Sequence, residues 1–154
     1  MANSLIRQYT GLPLDKPDPG LGGAKTIWAP LLGVRVSGKH LQRPSPQIPA
    51  FVDSGSPYCL FHSAVADYLH INLKSGTEAE LGGVISAHKE ALYFHRVNLT
   101  IENTWTIEVF AGFSKKLSVA AILGRAGFFD RFRVRFDHSQ SPPEFEIEKI
   151  DLIN

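Results

Sequence analysis

The chain has 154 residues, of which 44% are hydrophobic and 20% are charged, and its formal net charge at pH 7 is +1. This length suffices for one domain with a buried core, and the composition excludes a disordered or fibrous chain. A net charge this small gives no general attraction to nucleic acid or to an anionic membrane. The single cysteine excludes a disulfide within the chain, and the sequence has no basic, then apolar, signal segment. These features together predict a cytoplasmic protein that does not enter a membrane.

The predicted elements begin after an N-terminal segment that has little apolar periodicity. Residues 1–25 contain three prolines and several glycines, which predicts an irregular arm, and residues 26–154 are predicted to form one domain. Strands are predicted over residues 31–36, 50–53 and 58–61. Residues 63–70 have helical spacing of their apolar side chains, and Ser63 is the predicted N-cap of this helix.

The second half of the chain has mainly the alternating pattern of antiparallel strands. Residues 81–110 alternate in this way, and the predicted tight turn at residues 102–104 divides them into a hairpin. A second short helix is predicted over residues 124–132, followed by strands over residues 133–137 and 144–150. The fold class is therefore mostly β, with one or two short helices.

Two short motifs carry the chemistry that the sequence suggests. In Phe51-Val52-Asp53-Ser54-Gly55-Ser56, an apolar strand runs into an Asp-Ser-Gly turn, which would place a carboxylate at the floor of a cleft. Glycine allows the chain to turn sharply there, and the small hydroxyl side chain can bond to backbone without filling the cleft. About seventy residues later comes the apolar run Ala120-Ala121-Ile122-Leu123-Gly124-Arg125.

The Asp-Ser-Gly turn followed at this distance by Ile-Leu-Gly-Arg resembles the motifs of the retropepsin-like, or retroviral-type, aspartic proteases. The resemblance covers residues 30 to 137. It implies a small closed β-barrel and an aspartic endopeptidase that cleaves extended peptides with an activated water. It also implies that no cofactor or metal takes part.

The resemblance further implies an active site shared by two copies of the chain. The family's site needs two aspartates, and no other aspartate of this sequence is followed by Ser/Thr-Gly. A homodimer with one Asp53 from each subunit would supply both. Ser54, Gly55 and Ser56 would then support the catalytic turn, and the structural residues near the site would be Ile122, Leu123, Gly124 and Arg125.

The family's flap, a hairpin that closes over the substrate, corresponds to a glycine-containing segment of this chain. Its predicted substrate-binding residues are Gly82, Gly83, Val84, Ile85, Ser86 and Ala87. The chain departs from the family around Arg125, whose usual partner is a carboxylate just after the Asp-Ser-Gly turn. Pro57 and its neighbours offer no acid, and Ala126 stands where the family often has Asp or Asn. The partner of Arg125, the substrate and any longer precursor are left open.

Two other functions remain as alternatives. The same barrel could be a non-catalytic module for dimerisation or peptide binding. The alternation of Arg131, Arg133 and Arg135 with apolar residues could bind single-stranded nucleic acid, although an amphipathic strand explains it more simply. The six histidines have no metal-ligand spacing, and Cys59 is predicted to be a buried strand residue and not a nucleophile.

Overall fold

The structure is a computed structural model, and the residues that it describes are 3–39, 43–81 and 90–151. Strands dominate these residues. In chain order the elements are β1 (Ser4–Gln8), β2 (Thr10–Asp18), β3 (Ala24–Ala29), β4 (Leu31–Ser37), β5 (Ile48–Val52), β6 (Leu60–His62), α1 (Ser63–Tyr68), β7 (Thr77–Leu81), β8 (Glu90–Ile101), β9 (Trp105–Ser114), β10 (Ala121–Leu123), β11 (Phe132–Asp137) and β12 (Glu144–Lys149). Short 3-10 turns cover Pro19–Leu21 and Leu73–Ser75.

The chain divides into two compact units, of which the first contains both termini, Met1–Leu31 and Arg131–Asn154. In this unit β12 lies between β1 and β11 in an antiparallel sheet, while β2 and β3 form a separate two-stranded sheet. The prediction of an irregular arm over residues 1–25 is wrong, because most of these residues lie in strands. Pro13 and Pro17 are compatible with β2 because this strand has a single partner, and its pairing with β3 is irregular between Pro13 and Asp18. Whether residue 25 is a domain boundary stays a prediction.

The second unit, Leu32–Asp130, is a closed barrel of six strands. The strand order is β4-β5-β10-β6-β9-β8, and pairing of β4 with β8 closes the barrel. β7 pairs with β8 as a further strand. The pairs β5–β10 and β6–β9 are parallel, whereas β10–β6, β9–β8, β8–β7 and β8–β4 are antiparallel. The predicted fold class, a small closed β-barrel with a short helix, is confirmed.

The longest hairpin of the barrel, β8 and β9, follows from side-chain alternation. Along β9, buried residues alternate with exposed ones from Trp105 to Phe110, as expected for a strand with one face on a core. Glu102 and Asn103 have φ values of 49° and 53° in the connection, and the Thr104 amide donates to the Ile101 carbonyl at 2.9 Å. The predicted tight turn at residues 102–104 is therefore confirmed.

The helix predictions are partly right. The helix predicted after β6 is present as α1, but its N-cap is His62, whose Nδ1 accepts from the Ala64 amide at 3.1 Å, and not Ser63. The helix predicted over residues 124–132 is wrong, because most of these residues form turns, Ala126 forms an isolated β-bridge with Tyr58, and Phe132 begins β11. Gly127 has a φ of 105°, which is incompatible with a right-handed helix. No helix among the described residues is long and apolar enough to cross a membrane.

Candidate active site

Asp53 lies directly after β5, where the strand leaves the barrel sheet. Its amide still continues the pairing with β10, donating to the Leu123 carbonyl at 3.0 Å. Val52, one residue earlier, is buried, whereas Asp53, Ser54 and Gly55 are exposed. A strand anchored in the core therefore presents a carboxylate on an exposed turn.

The Asp-Ser-Gly turn is closed by hydrogen bonds to Asp53 itself. One carboxylate oxygen, Oδ1, accepts from the Gly55 amide at 2.9 Å, and the Asp53 carbonyl accepts from the Ser56 amide at 3.2 Å. Ser56 is buried, and its hydroxyl donates to the Tyr58 carbonyl at 2.7 Å. Ser56 therefore shapes the chain that follows the turn. The structure gives Ser54 an exposed position on the turn.

Backbone hydrogen bonds join this turn to the segment that follows β10. The Arg125 amide donates to the Ser56 carbonyl at 2.9 Å, and the Ala126 amide donates to the Pro57 carbonyl at 3.0 Å. Gly124 lies where these two segments of the chain approach each other closely. A Cβ atom at Gly124 would overlap the Tyr58 carbonyl and lie 2.7 Å from the Ser56 carbonyl oxygen. The glycine of Ile-Leu-Gly-Arg is therefore required by this close approach.

The side chain of Arg125 contacts the Asp-Ser-Gly turn directly. Its Nη1 donates to the Ser54 carbonyl at 3.2 Å. No acid follows the turn in this sequence, and the partner of Arg125 is the Ser54 carbonyl. A backbone carbonyl accepts the hydrogen bond in place of a side-chain carboxylate, and the turn is braced across the two motifs.

An apolar surface extends from Asp53 across the sheet. Residues opposite each other in paired strands point to the same face, and the register pairs Phe51 with Ile122, and Ile122 with Leu60. Leu60 also pairs with Gly112, which pairs with Phe94. Asp53 is two residues beyond Phe51 along the extended chain, so alternation places its carboxylate on this face too.

Three residues of this surface, Leu60, Phe94 and Ile122, belong to one hydrophobic cluster. Leu60, Leu92 and Phe94 are buried in it, and the partly buried members are Tyr58, Ala79, Leu117 and Ile122. The Tyr58 and Phe94 rings meet edge to face at 5.1 Å between centroids. Sequence reasoning identified Ile122 but missed the others. The motifs around Asp53 carry no signal for them, because β6, β7 and β8 reach this face only through the strand order of the barrel.

The residues predicted to form the flap, Gly82, Gly83, Val84, Ile85, Ser86 and Ala87, lie outside the described residues. The strands on either side of them, β7 and β8, are antiparallel partners with Leu81 opposite Glu90. The role of this segment in substrate binding therefore stays a prediction.

The remaining candidate residues are either buried or paired with a neighbouring side chain. Cys59 is fully buried, as predicted, although it lies just before β6 and not within a strand. Burial raises the pKa of its thiol to about 11. Arg133 pairs with Glu148 at 2.8 Å and Arg135 with Glu146 at 3.0 Å, across β11 and β12. Among the residues that the structure describes, no group of three or more His, Cys, Asp or Glu side chains is placed to hold a metal ion.

Comparison with solved structures identifies the fold. A retropepsin-like aspartic protease from Rickettsia conorii matches with a TM-score of 0.58 and 12% identity, over 96% of this chain and 99% of that chain. EIAV protease, in complex with the inhibitor HBY-793, matches with a TM-score of 0.39 and 15% identity, over 63% of this chain and 82% of that chain. No protein-family model matches the sequence. No curated protein matches it either.

The first of these matches shows that the chain has the retropepsin-like fold, as the two sequence motifs predict. An identity of 12% extends this conclusion to the fold alone. The catalytic roles of particular side chains have to be argued from the site itself.

Proposed function

We propose that the protein is an aspartic endopeptidase that cleaves extended peptides in a homodimeric site, with one Asp53 contributed by each subunit. The observation that carries the proposal is the braced, exposed carboxylate of Asp53 at the end of β5. The position of Asp53 in an Asp-Ser-Gly turn held to Ile-Leu-Gly-Arg, within a retropepsin-like fold, supports this role.

The chemistry requires two carboxylates that face each other. Two like charges about 3 Å apart do not both ionise, so the pair holds one proton. The ionised carboxylate takes a proton from a water as the water attacks the scissile carbonyl, and the protonated one donates to the carbonyl oxygen. No metal, cofactor or covalent intermediate takes part. Because each chain has a single Asp-Ser-Gly turn, a second subunit has to supply the other carboxylate.

The apolar surface beside Asp53 supports a preference for peptides with apolar side chains near the cleaved bond. Ile122 is half-buried on this surface, and Leu60 and Phe94 form its buried base. An extended peptide presents alternate side chains to one face, so one apolar residue of the substrate could pack there. Residues 82–87 would cover the bound peptide. The cytoplasmic location predicted from the sequence is part of the same proposal.

The test of catalysis is cleavage of an unstructured protein by purified wild-type protein and by Asp53→Asn. Asparagine keeps the size of the side chain but can act neither as a general base nor as a general acid, so we expect proteolysis to be lost and folding to be kept. The activity of the wild type should be bell-shaped in pH and favour acid, because the pair works with one shared proton. Undiminished cleavage by Asp53→Asn would show that residues other than Asp53 carry out the catalysis. A folded, dimeric wild type without any activity would favour the non-catalytic module.

The test of the shared site is a mixing experiment with Asp53→Ala subunits. If mixed dimers form freely and are inactive, activity falls as the square of the wild-type fraction. If each chain has a complete site of its own, activity falls in proportion to that fraction. A proportional fall with demonstrated subunit exchange would contradict the homodimeric site.

A further inference from the structure

A cleft in the barrel unit lies away from the candidate active site. It has a volume of about 580 Å3 and is lined by the end of α1, the 3-10 turn Leu73–Ser75, the start of β8 and the end of β9 with the residues that follow it. Tyr93 and Phe113, which are register partners, form its aromatic floor. Their sequence neighbours Phe94 and Gly112 belong to the surface beside Asp53. Because side chains alternate along a strand, the cleft lies on the opposite face of the sheet from Asp53.

One wall of the cleft is held in place by internal hydrogen bonds. His95 Nε2 lies 2.9 Å from the Leu73 carbonyl, and the Ser75 hydroxyl donates to the Asn72 carbonyl at 2.7 Å. Gly76 lets the chain pass close to His95, since a Cβ there would lie 2.6 Å from the Phe94 carbonyl oxygen and overlap the imidazole. The His95 ring also packs edge to face on Phe113, at 5.8 Å between centroids. The wall and floor are therefore built before any ligand arrives.

The rim of the cleft is cationic. Among the described residues that line it are three lysines, Lys74, Lys115 and Lys116, and one acidic residue, Asp67. Lys74 and Lys115 are exposed, and neither forms an ion pair with another described residue. The chain that carries Lys116 is held by its amide, which donates to the Ser114 hydroxyl at 3.0 Å. The described lining residues carry three formal positive charges against one negative charge, which complements an anion.

We propose that this cleft binds a small amphipathic anion, with an aromatic or apolar body on the Tyr93 side and a carboxylate, sulfonate or phosphate near Lys74 and Lys115. The volume lies within the range of about 300–1,000 Å3 that is usual for small-molecule sites, and the combination of an apolar floor with a few charged groups is also typical of such sites. The site is separate from Asp53. Its existence does not depend on whether the protein is a protease.

The experiment is titration of the full chain with the aromatic anion 8-anilinonaphthalene-1-sulfonate, followed by fluorescence, with its uncharged counterpart N-phenyl-1-naphthylamine as a comparison. We expect saturable binding of one anion per chain. The double variant Lys74→Gln/Lys115→Gln should bind it about 4- to 25-fold more weakly, taking each partly exposed ion pair as about two- to fivefold. Binding of the uncharged compound should not change.

The matched control is Lys25→Gln/Lys39→Gln, which removes the same charge from exposed lysines that do not line the cleft. A second variant, Ala91→Trp, should fill the cleft from its lining and abolish binding. Amide shifts in NMR spectra should change for Tyr93 and its neighbours on adding the anion, which separates this cleft from other exposed apolar surface. Equal weakening in both double variants, or shifts confined to other residues, would overturn the proposal.

Discussion

Gly124→Ala tests whether the two sequence motifs are joined as the structure places them. The added methyl group would lie 2.7 Å from the Ser56 carbonyl oxygen and still closer to the Tyr58 carbonyl. One of the two segments, either the one that contains Gly124 or the one that contains Ser56 and Tyr58, therefore has to move. Both of these neighbours are backbone atoms, which cannot rotate away as a side chain can. The movement would stretch the hydrogen bonds from the Arg125 and Ala126 amides.

The expected loss of stability can be estimated from these contacts. Overpacking in a well-packed site costs about 1–3 kcal/mol. Two weakened backbone hydrogen bonds add about 1 kcal/mol each. We therefore expect the free energy of unfolding to fall by about 3–5 kcal/mol. With a urea dependence of about 1–3 kcal/mol per molar, the unfolding midpoint should fall by at least about 1 M.

The assay is urea unfolding followed by tryptophan fluorescence in a Trp28→Phe background. Trp105 is then the single tryptophan, and it lies in β9, in the same unit as Gly124. The control is Gly38→Ala, because no atom of a described residue, apart from its two chain neighbours, lies within 4 Å of a Cβ built at Gly38. We expect this control to change stability by no more than about 1 kcal/mol, with stabilisation as the usual direction. If Gly124→Ala unfolds at the same urea concentration as the control, the close approach of the two motifs is refuted.

Three further predictions concern single residues of the barrel unit. Gly112→Ala should lower the free energy of unfolding by about 1 kcal/mol, which is less than Gly124→Ala, because its Cβ would meet side-chain atoms of Leu60 and Phe94, which can move. Equal urea midpoints for the two variants would contradict this prediction. Arg125→Gln should reduce the kcat of any proteolysis by on the order of tenfold, because it removes the hydrogen bond that braces the Ser54 carbonyl. Stability should change little at this exposed position. Activity equal to that of a matched Arg96→Gln protein would argue against the brace. The free energy of unfolding should fall by roughly 2 kcal/mol as pH rises from 9 to 11. The reason is that the Cys59 thiol ionises near its usual pKa of 9.0 when unfolded but has a pKa of about 11 when folded. Cys59→Ala should lack this part of the pH dependence, and identical pH profiles for the two proteins would contradict the prediction.

The sequence by itself determined the parts of this protein that depend on local patterns. Alternation identified the β8–β9 hairpin, and the turn at residues 102–104 followed from the break in that alternation. The Asp-Ser-Gly turn was recognisable because a strand, a carboxylate and a glycine have to be adjacent in sequence to make it. The two motifs in order were sufficient to predict the retropepsin-like fold.

Only the tertiary structure decided how distant segments meet. The helix predicted over residues 124–132 is replaced mainly by turns that lead into β11, because Gly127 has a positive φ and packs close to Val109 and Cys59. The strands within residues 1–25 depend on partners in β12 and β3, which local composition does not reveal. The hydrogen bond from Arg125 Nη1 to the Ser54 carbonyl connects residues that are far apart in sequence. The apolar surface beside Asp53 and the cationic cleft behind it arise from strand register and barrel closure, which no short stretch of sequence encodes.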